Sequence, residues 1–111
     1  MRYQVFFSIE AIGRVVTSES PEYCSDATVY SELFASLKVS GDFFGLIDSN
    51  GACLQVMYEP EIDLYWFEVP RPDKGGSFGK YHTFDAAVEA LKTLPETFPS
   101  KGLNEFEFNE W

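Results

Sequence analysis

Residues 43–70, FFGLIDSNGACLQVMYEPEIDLYWFEVP, decide the fold. β-Branched and aromatic side chains crowd this stretch and turn-forming residues punctuate it twice, so it reads as three consecutive strands. Asn50-Gly51 predicts a two-residue type I′ hairpin, because both residues tolerate the left-handed conformation such a turn needs. In that register Ile47 faces Leu54, Gly45 faces Val56 and Phe43 faces Tyr58, which makes one apolar face. Phe44, Leu46 and Asp48 then share the other face with Cys53, Gln55 and Met57. After Glu59-Pro60, Ile62, Leu64 and Trp66 alternate with Asp63, Tyr65 and Phe67, and the alternation puts Trp66 in the core.

Upstream, Tyr3, Val5, Phe7 and Ile9 alternate with Arg2, Gln4, Phe6 and Ser8, the pattern of a first strand. Gly13 and the polar run TSESPEYCSD read as a loop leading to a helix with Ser25 or Asp26 as its N-cap. Val29, Leu33 and Leu37 form the apolar stripe of that helix, Tyr30 and Phe34 widen it, and Ser40-Gly41 ends it. Downstream, residues 71–77 are loop-like, and a short strand over 78–82 precedes Thr83, which can cap a second helix over 84–94. Phe84, Val88 and Leu91 make its stripe and Pro95 stops it. Residues 103–110 alternate again, with Phe106 and Phe108 inward and Glu105, Glu107 and Asn109 outward.

The order β-α-β-β-β-(β)-α-β predicts a single α+β domain over residues 1–111, a mostly antiparallel sheet of about five strands carrying two helices. Since the face bearing Phe44, Leu46 and Met57 is also apolar, two arrangements stay open. Either the helices cover both faces, or one face is completed by a partner or by a second copy of the chain.

The 111 residues, 45% apolar and 17% aromatic, suffice for one buried core. A formal charge of −10 repels phosphate backbones and anionic lipids, so direct nucleic-acid and membrane binding are disfavoured, whereas a basic protein is attracted. The N-terminus MRYQVFFSIE lacks the features of a signal peptide, and no run approaches a membrane span. Cys24 and Cys53 form no CxxC or zinc-like spacing, so the expectation is a cytoplasmic protein with reduced thiols.

Four constellations carry possible chemistry, and each has a plainer explanation. Asp48-Ser49-Asn50-Gly51 resembles the middle of a calcium loop, but the flanking ligand positions fall on Leu46 and Met57, and a hairpin turn accounts for all four residues. Glu61 and Asp63 would share a strand face as paired carboxylates, with no nucleophile or base beside them in sequence. His82 could join Cys24 or Cys53 in a dyad, although a thiol in an apolar hairpin is ordinarily a packing residue. GGSFGK nearly matches a phosphate loop, yet Tyr81 replaces its hydroxyl residue and a strand follows where a helix is required. The expectation is therefore a non-enzymatic protein with no metal and no cofactor.

The acidic residues are grouped. Residues 16–34, 59–73 and 96–111 carry net charges of −4, −4 and −3. Carboxylates interleaved with rings are what a docking surface for a basic protein needs: the charges steer and pair, and the rings anchor. The candidate contact residues are Glu59, Glu61, Asp63, Tyr65, Asp73, Glu105, Glu107 and Glu110.

The runs Ala52-Cys53-Leu54-Gln55-Val56 and Tyr65-Trp66-Phe67-Glu68-Val69-Pro70, the helical Asp85-Ala86-Ala87 and the terminal Trp111 resemble the small acidic immunity proteins of bacterial polymorphic toxin systems. The matched residues are Gln55, Glu68 and Trp111. The resemblance implies a cytosolic inhibitor that covers the active site of one cognate basic toxin. Two alternatives carry the same acidity: a phage-type nucleic-acid mimic that inhibits a host enzyme, and a structural homodimer without catalytic role.

Overall fold

The computed structural model describes residues 2–93 and 106–111. Its elements are β1 (Arg2–Ile9), β2 (Arg14–Val16), β3 (Glu22–Ser25), a helical segment α1 (residues 26–36), β4 (Phe43–Ile47), β5 (Cys53–Glu59), β6 (Leu64–Arg71), a 3-10 turn (Pro72–Lys74), β7 (Gly76–His82), α2 (Phe84–Lys92) and β8 (Glu107–Glu110). The fold is α+β and dominated by an antiparallel sheet, with eight strands in place of the expected five. The strands run β2-β1-β4-β5-β6-β7-β8, and β3 also pairs with β1. No helix among the described residues is long and apolar enough to cross a membrane.

The expected order, counting its short strand over 78–82, lacks β2 and β3, which lie in the segment expected to be a loop. Both lie on the edge of β1 away from β4, with Phe7 opposite Val16 and Val5 opposite Glu22. Together they make one edge strand interrupted by residues 17–21. Gly13, at φ 81°, turns the chain back from β1, and strands of three and four residues are too short to show an alternation.

The central hairpin is one residue out of the expected register. Leu46 faces Leu54, Phe44 faces Val56 and Phe43 faces Met57. The Asp48 carboxylate explains why: Oδ1 accepts hydrogen bonds from the amides of Asn50 (2.8 Å) and Ala52 (2.9 Å). Gly51 N–H donates to the Asp48 carbonyl at 3.1 Å, and Gly51 takes φ 82° while Asn50 keeps a negative φ. The loop is thus three residues closed by an Asx turn, and the fourfold oxygen-rich run is spent on the turn. The third strand starts later than expected. Residues 60–63 form a loop, with Asp63 at φ 53° and its carboxylate accepting the Tyr58 hydroxyl at 2.8 Å.

The expected first helix exists, but its pitch changes along its length: an α-turn (Asp26–Thr28), a π-turn (Val29–Leu33) and a 3-10 turn (Phe34–Ser36). Ser25 Oγ accepts the Thr28 amide at 3.3 Å as its cap. The stripe still works, since Val29, Leu33, Phe34 and Leu37 are all buried. In α2, Thr83 Oγ1 caps the Ala86 amide at 3.2 Å, and Ala87 and Leu91 face inward while Phe84 is half exposed. Pro95 and residues 103–105 of the expected last strand lie outside the described residues.

Both helical segments pack on one face of the sheet. That face holds Tyr3, Val5 and Phe7 of β1, Phe44 and Leu46 of β4, Leu54 and Val56 of β5, and Tyr65, Phe67 and Val69 of β6. Phe34 of α1 lies 4.8 Å from the Tyr65 ring and 5.5 Å from the Phe84 ring, which ties the two helices together over β6. Phe44, Leu46, Leu54, Val56 and Phe67 are fully excluded from solvent, each contributing roughly 1.5–3 kcal/mol of burial. The arrangement in which helices cover both faces does not occur among the described residues.

Candidate functional site: the uncovered face of the sheet

With the helices on one side, the alternate residues of every strand form a second face. Strand pairing sorts them into three rows. One row runs Ser8, Phe43, Met57, Trp66, Tyr81; the middle row runs Phe6, Gly45, Gln55, Glu68, Gly79, Glu107; the third begins Gln4, Ile47, Cys53 on β1, β4 and β5 and continues to Pro70, Ser77 and Asn109. Aromatic and aliphatic side chains dominate the first row, carboxylates sit in the middle one, and the three rows contain no lysine or arginine.

The two glycines of the middle row shape this face. A Cβ at Gly45 would run into the Phe6 ring, and one at Gly79 into the Trp66 ring. Each ring lies flat over its glycine, covering backbone that would otherwise be bare, a device that also pins strand register. Trp66 is therefore a surface ring of the uncovered face, contrary to its expected core position. Its neighbour Tyr65 takes the interior place, 8% exposed among Phe34, Tyr58 and Phe84. The alternation within β6 is the expected one, and the helices decide which set is interior: Phe34 of α1 and Phe84 of α2 pack on Tyr65, which leaves Trp66 on the other side.

Glu68 is held in place by the buried Ser77, whose hydroxyl donates to Glu68 Oε1 at 2.8 Å. Gln55 is its direct cross-strand partner. The structure thus places side by side two of the three residues that carry the family resemblance, while Trp111 stands apart, 69% exposed, with its amide bonded to the Gly75 carbonyl at 2.9 Å.

Next to the Trp66 end of the first row is a cavity of about 370 Å³ lined by Met57, Glu59, Trp66, Tyr81 and the Ser40-Gly41 backbone turn. The Trp66 and Tyr81 rings meet at 56° with centroids 4.7 Å apart. The Tyr81 hydroxyl is pushed up in pKa by its hydrogen bond to Glu59, while Glu59 Oε2 is buried with no partner.

The expected contact residues do not form one dock. Glu59, Glu61 and Asp63 cluster at the β5–β6 turn, whereas Asp73 and Glu110 lie at the opposite end of β6, about 23 Å away for an eight-residue strand. Asp73 is engaged by Arg71 at 2.9 Å. Glu107 sits in the middle row, Tyr65 is interior, and Glu105 lies outside the described residues. Glu61 and Asp63 belong to a loop and share no strand face. Sequence reasoning placed Met57 and Gln55 on a face that a partner could complete, but missed Phe43, Glu68 and Tyr81 as members of the same surface. The signal was the pair of glycines in β4 and β7, each one strand away from a large ring.

The sulfur and imidazole groups are kept apart. His82 is on the covered face, its ring 4.1 Å from Phe67 and its Nδ1–H donating to the Lys80 carbonyl at 3.1 Å; burial lowers its pKa. Cys53 is on the other face, where burial pushes its thiol up to about 11. Cys24 is buried on β3, five strand spacings from β7, or about 24 Å. Neither thiol forms a disulfide among the described residues. The GGSFGK run falls within β7 and its approach, and no group of three or more metal-ligating side chains occurs among the described residues.

A second cavity, about 390 Å³, lies between α1 and the β1–β3 edge. Of its charged lining residues Arg14, Glu22 and Glu32, the first two bind each other through two bonds of 2.9 and 3.1 Å. Compared with protein-family models, curated proteins and solved structures, the chain matches none of them. What defines the molecule is its geometry, an antiparallel sheet with helices on one side and an acidic, aromatic face on the other.

Proposed function

We propose that this chain is a non-enzymatic binding module that docks a basic protein on the uncovered face of its sheet, in the manner of a toxin immunity protein. The observation that carries the reading is the three-row face itself: flat rings over glycines, Glu68 fixed by Ser77, Glu107 in the same row beyond Gly79, and no lysine or arginine within the three rows. Rings supply the buried contact area and carboxylates the attraction and register. The partner is a cytoplasmic toxin or a nucleic-acid enzyme whose basic groove is covered on binding. A nucleic-acid mimic would call for an unbroken line of carboxylates, and the aromatic first row favours a protein anchor over that alternative. A second copy of the chain is disfavoured as occupant, because two such faces would bring Glu68 and Glu107 against their own like charges.

The test is titration of this protein against a basic toxin domain, chosen from any large open reading frame adjacent to its gene that carries a basic C-terminal domain, by calorimetry and size exclusion. A one-to-one complex that weakens at least about tenfold in the double variant Glu68→Lys, Glu107→Lys, and weakens with added salt in the wild type, supports the reading. No complex, or an affinity indifferent to that double variant, removes it, and a stable homodimer in the absence of partner replaces it.

A further inference from the structure

The cavity at the end of the first row offers more than shape. Its walls are two rings set at an angle, Trp66 and Tyr81, with Met57 between strands, and its polar group is a carboxylate oxygen, Glu59 Oε2, that is shielded from solvent yet bonded to nothing. A buried carboxylate oxygen without a donor is costly, and native structures rarely leave one so unless a ligand supplies the missing hydrogen. Aromatic faces and a carboxylate together select one chemistry: a cation, held by the ring quadrupoles and by a charge-assisted hydrogen bond. The volume, about 370 Å³, is near the lower end of ligand sites, suited to one long side chain.

Among the described residues no group donates a hydrogen bond to Glu59 Oε2. Arg14 is bound to Glu22 and lies over Phe7, and Arg71 is bound to Asp73; Lys74 lies over Phe78. The cavity opens on the same face that we propose for docking, beside the acidic β5–β6 turn with Glu61 and Asp63. We infer that it is the anchor pocket for a single arginine or lysine side chain of the docked protein, with Glu59 as the ion-pair partner and Trp66 and Tyr81 as the cage. This assignment rests on the docking reading for its biological source, but the pocket's affinity for the cation does not.

The experiment therefore uses small probes and no partner protein. Amide-proton and Trp66 indole resonances are followed while N-acetyl-arginine amide, N-acetyl-lysine amide or the neutral isostere N-acetyl-citrulline amide is titrated into the intact chain. The inference expects saturable millimolar binding of a cationic probe, with shifts confined to Gly41, Met57, Glu59, Trp66 and Tyr81. It expects affinity at least about tenfold weaker for citrulline, and a similar loss in Glu59→Gln, whose unfolding midpoint should not fall. The stronger of the two cationic probes identifies the side chain. Equal shifts from citrulline, unchanged affinity in Glu59→Gln, or no saturation with either cation overturns the pocket. Docking of the basic domain retained in Glu59→Gln but lost in the Glu68, Glu107 double variant overturns the anchor alone and leaves the docking face standing.

Discussion

The two faces of this sheet are built from the same strands by the same alternation, yet they are different materials. On the covered face, Phe44, Leu46, Leu54, Val56 and Phe67 interlock beneath α1 and α2 with no exposed surface. On the uncovered face, Phe6 and Trp66 lie down on glycines, Tyr81 remains 44% exposed, and carboxylates occupy the row between. The first face is packed for stability; the second is finished by flattening rings onto backbone, which limits exposed apolar surface without removing it. The lesson is that an aromatic-rich strand can serve two ends at once, provided glycine is placed opposite the rings that have no helix above them.

The sharpest way to break this comparison is to truncate neighbouring residues of β6 that point to opposite faces. Phe67→Ala should cost about 3–5 kcal/mol, because a fully enclosed ring leaves a cavity that the core cannot close, whereas Trp66→Ala should cost about 1–2 kcal/mol and abolish docking. Denaturant unfolding of the two variants checks the ratio. Equal losses would mean that the uncovered face is as much a core as the other.

A smaller effect is expected from adding a single methyl to the uncovered face. Gly45→Ala should destabilise by about 1–3 kcal/mol and lift the Phe6 ring, and Gly79→Ala should do the same to Trp66 and red-shift its fluorescence as water reaches it. An unchanged emission maximum in Gly79→Ala would show that the ring has another seat.

The smallest effect belongs to the end of the sheet where both faces meet. Asp42 is buried and binds three amides, Glu10 at 3.1 Å, Lys38 at 3.0 Å and Val39 at 3.2 Å, so it ties the β1 turn to the segment leading into β4. Burial acts to raise its pKa, but the hydrogen bonds from Lys38, Glu10 and Val39 outweigh it and the net shift is downward. A lowered carboxyl contributes stability that is complete above its unfolded value, near pH 4, and is lost as pH falls through the lower folded value. Asp42→Asn should cost about 1–2 kcal/mol at neutral pH and flatten the acid limb of the stability curve. Parallel acid limbs for wild type and variant would refute this.

Much of the fold was legible in the chain. The β1 alternation and the Thr83 cap are local patterns found where the chain puts them, and Val29, Leu33 and Leu37 are buried together although the helix changes pitch and ends before Leu37. The register of β4 and β5 was not, because Asn50-Gly51 has the composition of a two-residue turn and only the reach of the Asp48 carboxylate to two amides selects the longer loop. Of the candidate site, the acids were legible as a composition but not as a place. Glu59 and Asp73 are close in sequence and separated by the length of β6, while Gln55 and Glu68, thirteen positions apart, are direct neighbours across two strands.

By itself the sequence determined that there would be a sheet, which segments would wind, and that both alternating sets of β4–β6 side chains would be rich in rings and aliphatics. Only the tertiary structure decided which set is interior and which is the surface a partner can reach. The reason is physical: alternation is symmetric about the plane of a strand, and that symmetry is broken only when distant helices settle on one side.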